Sequence, residues 1–115
     1  MMGATIDPRP PRETTVYIAM NRFRIAPGRE DGFESLWRER TSYLHTVPGF
    51  KEFRLLRGAA GEDYTVIISH STWASEADFL AWTESEAFRL AHGRARSPEG
   101  TVLGPPQFEG YTVVL

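Results

Sequence analysis

The chain has no cysteine among its 115 residues. Disulfides, thiolate metal sites and cysteine nucleophiles are excluded together, and the composition fits a reducing compartment. No uninterrupted apolar run approaches the roughly 20 residues that cross a bilayer. The N-terminal MMGATIDPRPPRETT also lacks the apolar segment of a secretory signal. The expected compartment is the cytoplasm, with no membrane partner. Charge of one sign is missing too: 13 basic residues against 15 acidic leave a net charge of -2. That balance argues against the basic footprint of a nucleic-acid binder and against a polybasic membrane anchor. There is no internal repeat and no low-complexity segment. At this length one domain with a single core is expected, burying somewhat over ~60% of the unfolded surface.

Residues 1–14 carry three prolines and several charges without periodicity, and read as a mobile tail ahead of one domain over 15–115. TVYIAMNRFRI, 15–25, is rich in β-branched and aromatic residues and closes on Pro27-Gly28, a strand followed by a turn. Its pleat puts Tyr17, Ala19, Asn21, Phe23 and Ile25 on one face, with Val16, Ile18, Met20, Arg22 and Arg24 on the other. Asn21 is thus a polar amide among apolar neighbours. It must find a partner or cost on the order of 1 to 3 kcal/mol.

From Arg29 to His45 the residues Phe33, Leu36, Trp37 and Leu44 fall near helical spacing, and Val47-Pro48-Gly49 ends the helix. FKEFRLLR, 50–57, reads as a strand, GAAGED as a turn and YTVIISHSTW, 64–73, as the second strand of a hairpin. Ser75 followed by Asp78 resembles a capping box and starts a second helical region. GRARSPEGTVLGPP is loop, and QFEGYTVVL closes the chain as a strand. Strand, helix, strand, strand, helix, strand is the α+β, ferredoxin-like split βαβ order, with an antiparallel sheet and both helices on one face. The second face, carrying Val16, Ile18 and Met20, is left uncovered. A homodimer packing sheet face on sheet face, a dimeric α/β barrel, is the expected remedy.

The stretch FLAWTESEAFRLAH, 79–92, holds Trp82 and ends on His92. In one straight helix ten residues leave those two about 80° apart. The TESE interruption changes this, because Ser85 can cap a new helix over 86–93 in which Phe88 and His92 share a face at i, i+4 spacing. Two short helices can then wall one pocket, with Asn21 beneath. Taken residue by residue, plainer roles are also open. His92 can be a dipole-favoured surface residue near a helix end, Trp82 a core residue and Asn21 a structural amide on a loop backbone. Arg94 and Arg96 can be a solvated pair. Trp37, Trp73, His45 and His70 read as structural, and His70 has no neighbour at metal-ligand spacing.

MNRFRIAPGRE, the VPGF turn, the hairpin ending in TW and FLAWTESEAFRLAH together resemble the antibiotic biosynthesis monooxygenase superfamily, and within it the Isd-type haem-degrading monooxygenases. The resemblance covers about residues 15–92 and the final strand. The NRF, PG and PGF features mark the whole superfamily; asparagine, tryptophan and histidine together mark the haem-degrading branch. It implies a homodimeric oxidoreductase that opens haem, at once substrate and cofactor, using O2 and an external electron donor, and so releases iron. Catalytic roles pass to Asn21 as distal amide donor, Trp82 as the bulky group pressing on the porphyrin, and His92 as ligand of the haem iron. Phe88 joins the haem contacts. Arg94 and Arg96, just past His92, are the expected cations for haem propionates, an inference from their position. A reductase of unknown identity is the implied partner. Two other functions share the same cleft: a cofactor-free quinone-forming monooxygenase, and a non-enzymatic haem carrier or sensor.

Overall fold

A computed structural model describes residues 15–85, 88–89 and 97–115, with backbone alone at 40–43. The expected tail over 1–14 lies outside the described residues. The elements are β1 (Tyr17–Ile25), α1 (Glu30–Arg40), a 3-10 segment (Thr41–Thr46), β2 (Phe50–Ala60), β3 (Thr65–Trp73), α2 (Glu76–Thr83) and β4 (Gln107–Thr112). One antiparallel sheet has the order β2-β3-β1-β4. This is the ferredoxin-like arrangement expected from the element order.

Three boundaries differ from the sequence reading. The first helix tightens into 3-10 geometry at Thr41, the usual way a last turn satisfies its carbonyls before a stop, here Val47-Pro48-Gly49. β2 runs on through the small residues Gly58, Ala59 and Ala60, with a register irregularity between Arg57 and Ala60. A bulge takes up the one extra residue there, so half of the expected GAAGED turn is strand. β4 ends at Thr112, although the Val113 N–H still donates to the Val16 carbonyl at 2.9 Å.

α2 starts as its sequence dictates. The Asp78 N–H donates to Ser75 Oγ at 3.1 Å, satisfying one orphan donor of the first turn. Gly49 lies under that turn at φ +83°, where any Cβ would collide with the Asp78 side chain. Glycine is required there twice, for the left-handed backbone and for the close approach.

The alternation predicted for β1 holds: Tyr17, Ala19 and Ile25 are buried on the face that both helices cover. That face is divided. One cluster gathers Tyr17, Ala19, Leu44, Trp73 and Phe79, with Val47, Phe50, Phe53 and Trp82 against it. A second gathers Ile25, Phe33 and Ile67, with Phe23, Trp37, Leu55 and Val102 against it. Each fully buried Ile or Phe contributes on the order of 1.5–3 kcal/mol. On β1 the residue between the two clusters is Asn21, and it belongs to neither.

Candidate functional site

The cleft is best built from that boundary. Asn21 pairs with Ser69 on β3 and with Phe108 on β4, and Ser69 pairs in turn with Leu55 on β2. Cross-strand partners point to one face, so Leu55, Ser69, Asn21 and Phe108 form a row across the covered side of the sheet. Two polar groups occupy its centre. The Asn21 side chain is half-buried and makes no hydrogen bond to another described residue. Nothing described therefore supports the structural-amide role.

The aromatic walls come from both helices and from β4. Trp82 stacks on buried Trp73 with centroids 5.4 Å apart and meets Phe79 at 6.2 Å. Phe79 stacks on Phe108 at 5.7 Å and 12°, leaving Phe108 52% exposed beside Asn21. Trp37 of α1 stacks on Phe53 at 5.4 Å. A groove of about 430 Å³ opens on this α1 side, lined by Glu34, Trp37, Arg38, Phe53, Leu55 and Arg57. Its floor residue Leu55 is in the Asn21 row, so the groove continues the strip rather than centring on it.

The expected break in 79–92 is present. α2 ends at Thr83, and Ser85 Oγ donates to the Trp82 carbonyl at 2.6 Å. The same oxygen accepts the Phe88 N–H at 3.1 Å. Ser85 thereby closes α2 and holds the Phe88 backbone, and Phe88 is brought edge-on to Trp82 at 4.8 Å; the rest of the expected second helix over 86–93 lies outside the described residues. His92, Arg94 and Arg96 lie outside the described residues. Among the described residues no cluster of three or more His, Cys, Asp or Glu is arranged to hold a metal ion.

Electrostatic anchors border the cleft. Arg57 is hydrogen-bonded to Glu34 and to Asp31 at 2.7 Å, which raises the guanidinium further above its ordinary range, Glu34 contributing first. Burial, then the Glu76 charge, raises the Tyr17 phenol, so it stays neutral. Its hydroxyl lies over Gly110, where a Cβ would strike it. Ser69 and Phe108 escaped sequence reading. Ser69 carries no motif, and Phe108 stands beside Asn21 only through the β1–β4 register.

An antiparallel four-stranded sheet with two helices on one face, floored by a polar strip between aromatic clusters, places the protein in the ferredoxin-like α+β class. The chain belongs to the antibiotic biosynthesis monooxygenase family, whose sequence model matches residues 16–94. Membership supports an oxidoreductase of the monooxygenase type. The chain is 36% identical over 88 residues to a heme-degrading monooxygenase of Shouchella clausii, spanning 76% of this chain and 80% of the relative. It is 27% identical over 92 residues to a heme oxygenase (mycobilin-producing) of Mycobacterium tuberculosis, spanning 80% and 86%. In fold it is similar to SnoaB, a cofactor-independent oxygenase from Streptomyces nogalater. The TM-score is 0.68 at 17% identity, covering 88% of this chain and 95% of that one. No helix among the described residues is long and apolar enough to cross a membrane.

Proposed function

We propose that the protein is a haem-degrading monooxygenase, cleaving the porphyrin with O2 and an external reductant and releasing iron. The observation that carries this reading is the Asn21 amide, without a hydrogen-bond partner among the described residues, on a strip between two aromatic clusters. The names of the two relatives above support it. A flat apolar molecule with a polar centre suits such a floor, because the clusters exclude water while the strip offers hydrogen bonds.

Asn21, Trp82, Phe88 and His92 would hold the haem, with His92 as the iron ligand and Arg94 and Arg96 on the propionates. When bound, haem supplies the redox-active iron where O2 and electrons meet. The chain supplies position and polarity. Asn21 would offer its amide to the cleft from the centre of the row it shares with Ser69 and Phe108. Trp82, packed against Trp73 and Phe88, would form one wall against a bound ring. The expected assembly is a homodimer through the outer sheet face. That face carries Ile18, Met20 and Ile68 half-buried, Tyr111 half-exposed, and a buried His70 Nδ1 with no hydrogen-bond partner among the described residues. The expected compartment remains the cytoplasm.

The test is a haemin titration of the purified protein followed through the Soret band, then ascorbate under air. A saturable shift and subsequent bleaching are expected. His92→Ala should lose the shift, whereas Asn21→Ala should keep binding and lose turnover. No saturable shift would refute haem binding, and a shift without bleaching would indicate a carrier. The fold shared with SnoaB favours a second reading, cofactor-free oxidation of a flat phenolic substrate to a quinone. Oxygen uptake with such a substrate in the absence of haemin would establish it.

A further inference from the structure

The buried polar side chains differ in how they are satisfied. Thr65 Oγ1 donates to Glu30 at 2.7 Å, Ser75 Oγ accepts the Asp78 N–H at 3.1 Å, and Thr101 Oγ1 accepts from Arg29 at 3.4 Å. Ser71, also on the covered face of β3, donates to the Ala19 carbonyl at 3.3 Å and accepts Trp73 Nε1 at 2.8 Å. Ser69 stands two positions away on the same face; the residue is 5% exposed, and its hydroxyl hydrogen-bonds none of the described residues. Yet the oxygen is not among the buried atoms left without a partner, so it reaches the open surface of the cleft. A hydroxyl that the protein does not claim and that opens on the cleft is free to hydrogen-bond what binds there. Directly opposite stands Asn21, whose amide is likewise without a described partner. Cβ atoms of such cross-strand pairs lie about 4.5–5.5 Å apart, so the hydroxyl and the amide stand side by side on the same face of the sheet.

We propose that Ser69 is a second ligand-positioning residue of the cleft, its hydroxyl hydrogen-bonding the same polar atom of the bound ligand that Asn21 addresses. This rests on the haem reading above. Two donors from neighbouring strands fix a direction as well as a distance, which one amide on a rotatable side chain does not. An apolar residue at position 69 would leave Asn21 as the lone polar group of the floor. Ser69 therefore sets how tightly a small polar ligand is held on the Asn21 side of the haem.

The test uses the full chain, haemin and azide. Haemin affinity is read from the Soret band, azide affinity and the azide infrared stretch from the haemin complex, and the thermal midpoint from circular dichroism. Ser69→Ala should bind haemin and melt within ~2 °C of the parent, since it loses no described hydrogen bond. Its azide affinity should fall by about fivefold, the worth of one hydrogen bond, and the azide stretch should shift. Ser69→Thr, which keeps the hydroxyl, should restore both. Unchanged azide affinity and stretch in Ser69→Ala, with haemin still bound, would overturn the role of Ser69 alone. So would a lowered midpoint with unchanged spectra, the result of a structural hydroxyl. Failure of the parent protein to bind haemin would overturn the haem reading and this role with it.

Discussion

The rings of Trp82 and Phe88 meet edge-on at 4.8 Å across the end of α2, and one hydroxyl, that of Ser85, bonds the backbone of both residues. It donates to the carbonyl of the first ring's residue and accepts the N–H of the second's. The wall of the candidate cleft is thus set by a helix cap.

Ser85→Ala removes both bonds. The expected loss is about 1 kcal/mol of stability, the usual worth of a serine cap, seen as a drop of several degrees in the thermal midpoint. The near-ultraviolet circular dichroism of the tryptophans should change with it, because Trp82 loses its fixed edge contact. An unchanged midpoint and spectrum would show that the break is held by other means.

Gly49→Ala should be among the most damaging surface-loop substitutions. The residue sits at φ +83°, and its Cβ would run into Asp78, the second acidic side chain in the first turn of α2. A loss of roughly 1–3 kcal/mol is expected from left-handed strain and displacement of that turn. Asp78→Ala in the same chain should recover part of it, and a double-mutant cycle with urea melts measures the coupling. Purely additive losses would mean that the collision is relieved by movement elsewhere.

Glu30 provides a pH-dependent contact between α1 and β3. The Thr65 hydroxyl hydrogen bond, above all, holds its carboxyl below the ordinary 4.5, with backbone donors adding to the effect. A depressed folded value stabilises the fold above the unfolded pKa, and the contribution is lost as pH falls below 4.5 through the folded value. Thr65→Val should therefore show a shallower acid-side loss of stability than the parent, in midpoints measured across that range. Parallel curves for the two proteins would contradict the linkage.

Met20 lies between His70 and Glu109 on the uncovered sheet face. If two copies pack through that face, Met20→Glu places two like charges in an apolar contact and should convert a micromolar dimer to monomer in sedimentation velocity. The thermal midpoint should then become independent of protein concentration. A parent chain that sediments as a monomer would rule out the assembly.

Legibility differed between elements for physical reasons. The period-two pattern of YIAMNRFRI told which side chains of β1 are covered, and the Ser75 and Ser85 caps could be read because capping is local. The extension of β2 through Gly58 could not, since glycine and alanine pair in a strand only when the partner's register allows a bulge. Asn21 stood out as a polar residue in an apolar alternation. Ser69 did not, because three of the five covered side chains of its strand are hydroxyls, and only their partners distinguish them.

By itself the sequence determined the order of elements, the face that β1 buries, and the interruption that ends α2 at Thr83. These follow from side-chain periodicity and capping, both set within a few residues along the chain. Only the tertiary structure decided that Leu55, Ser69, Asn21 and Phe108 share a row and that the covered face splits into two clusters around it. Only there did the Ser69 hydroxyl emerge without a described partner. Register and hydrogen-bond satisfaction depend on residues tens of positions apart, and no local pattern encodes which of them will meet.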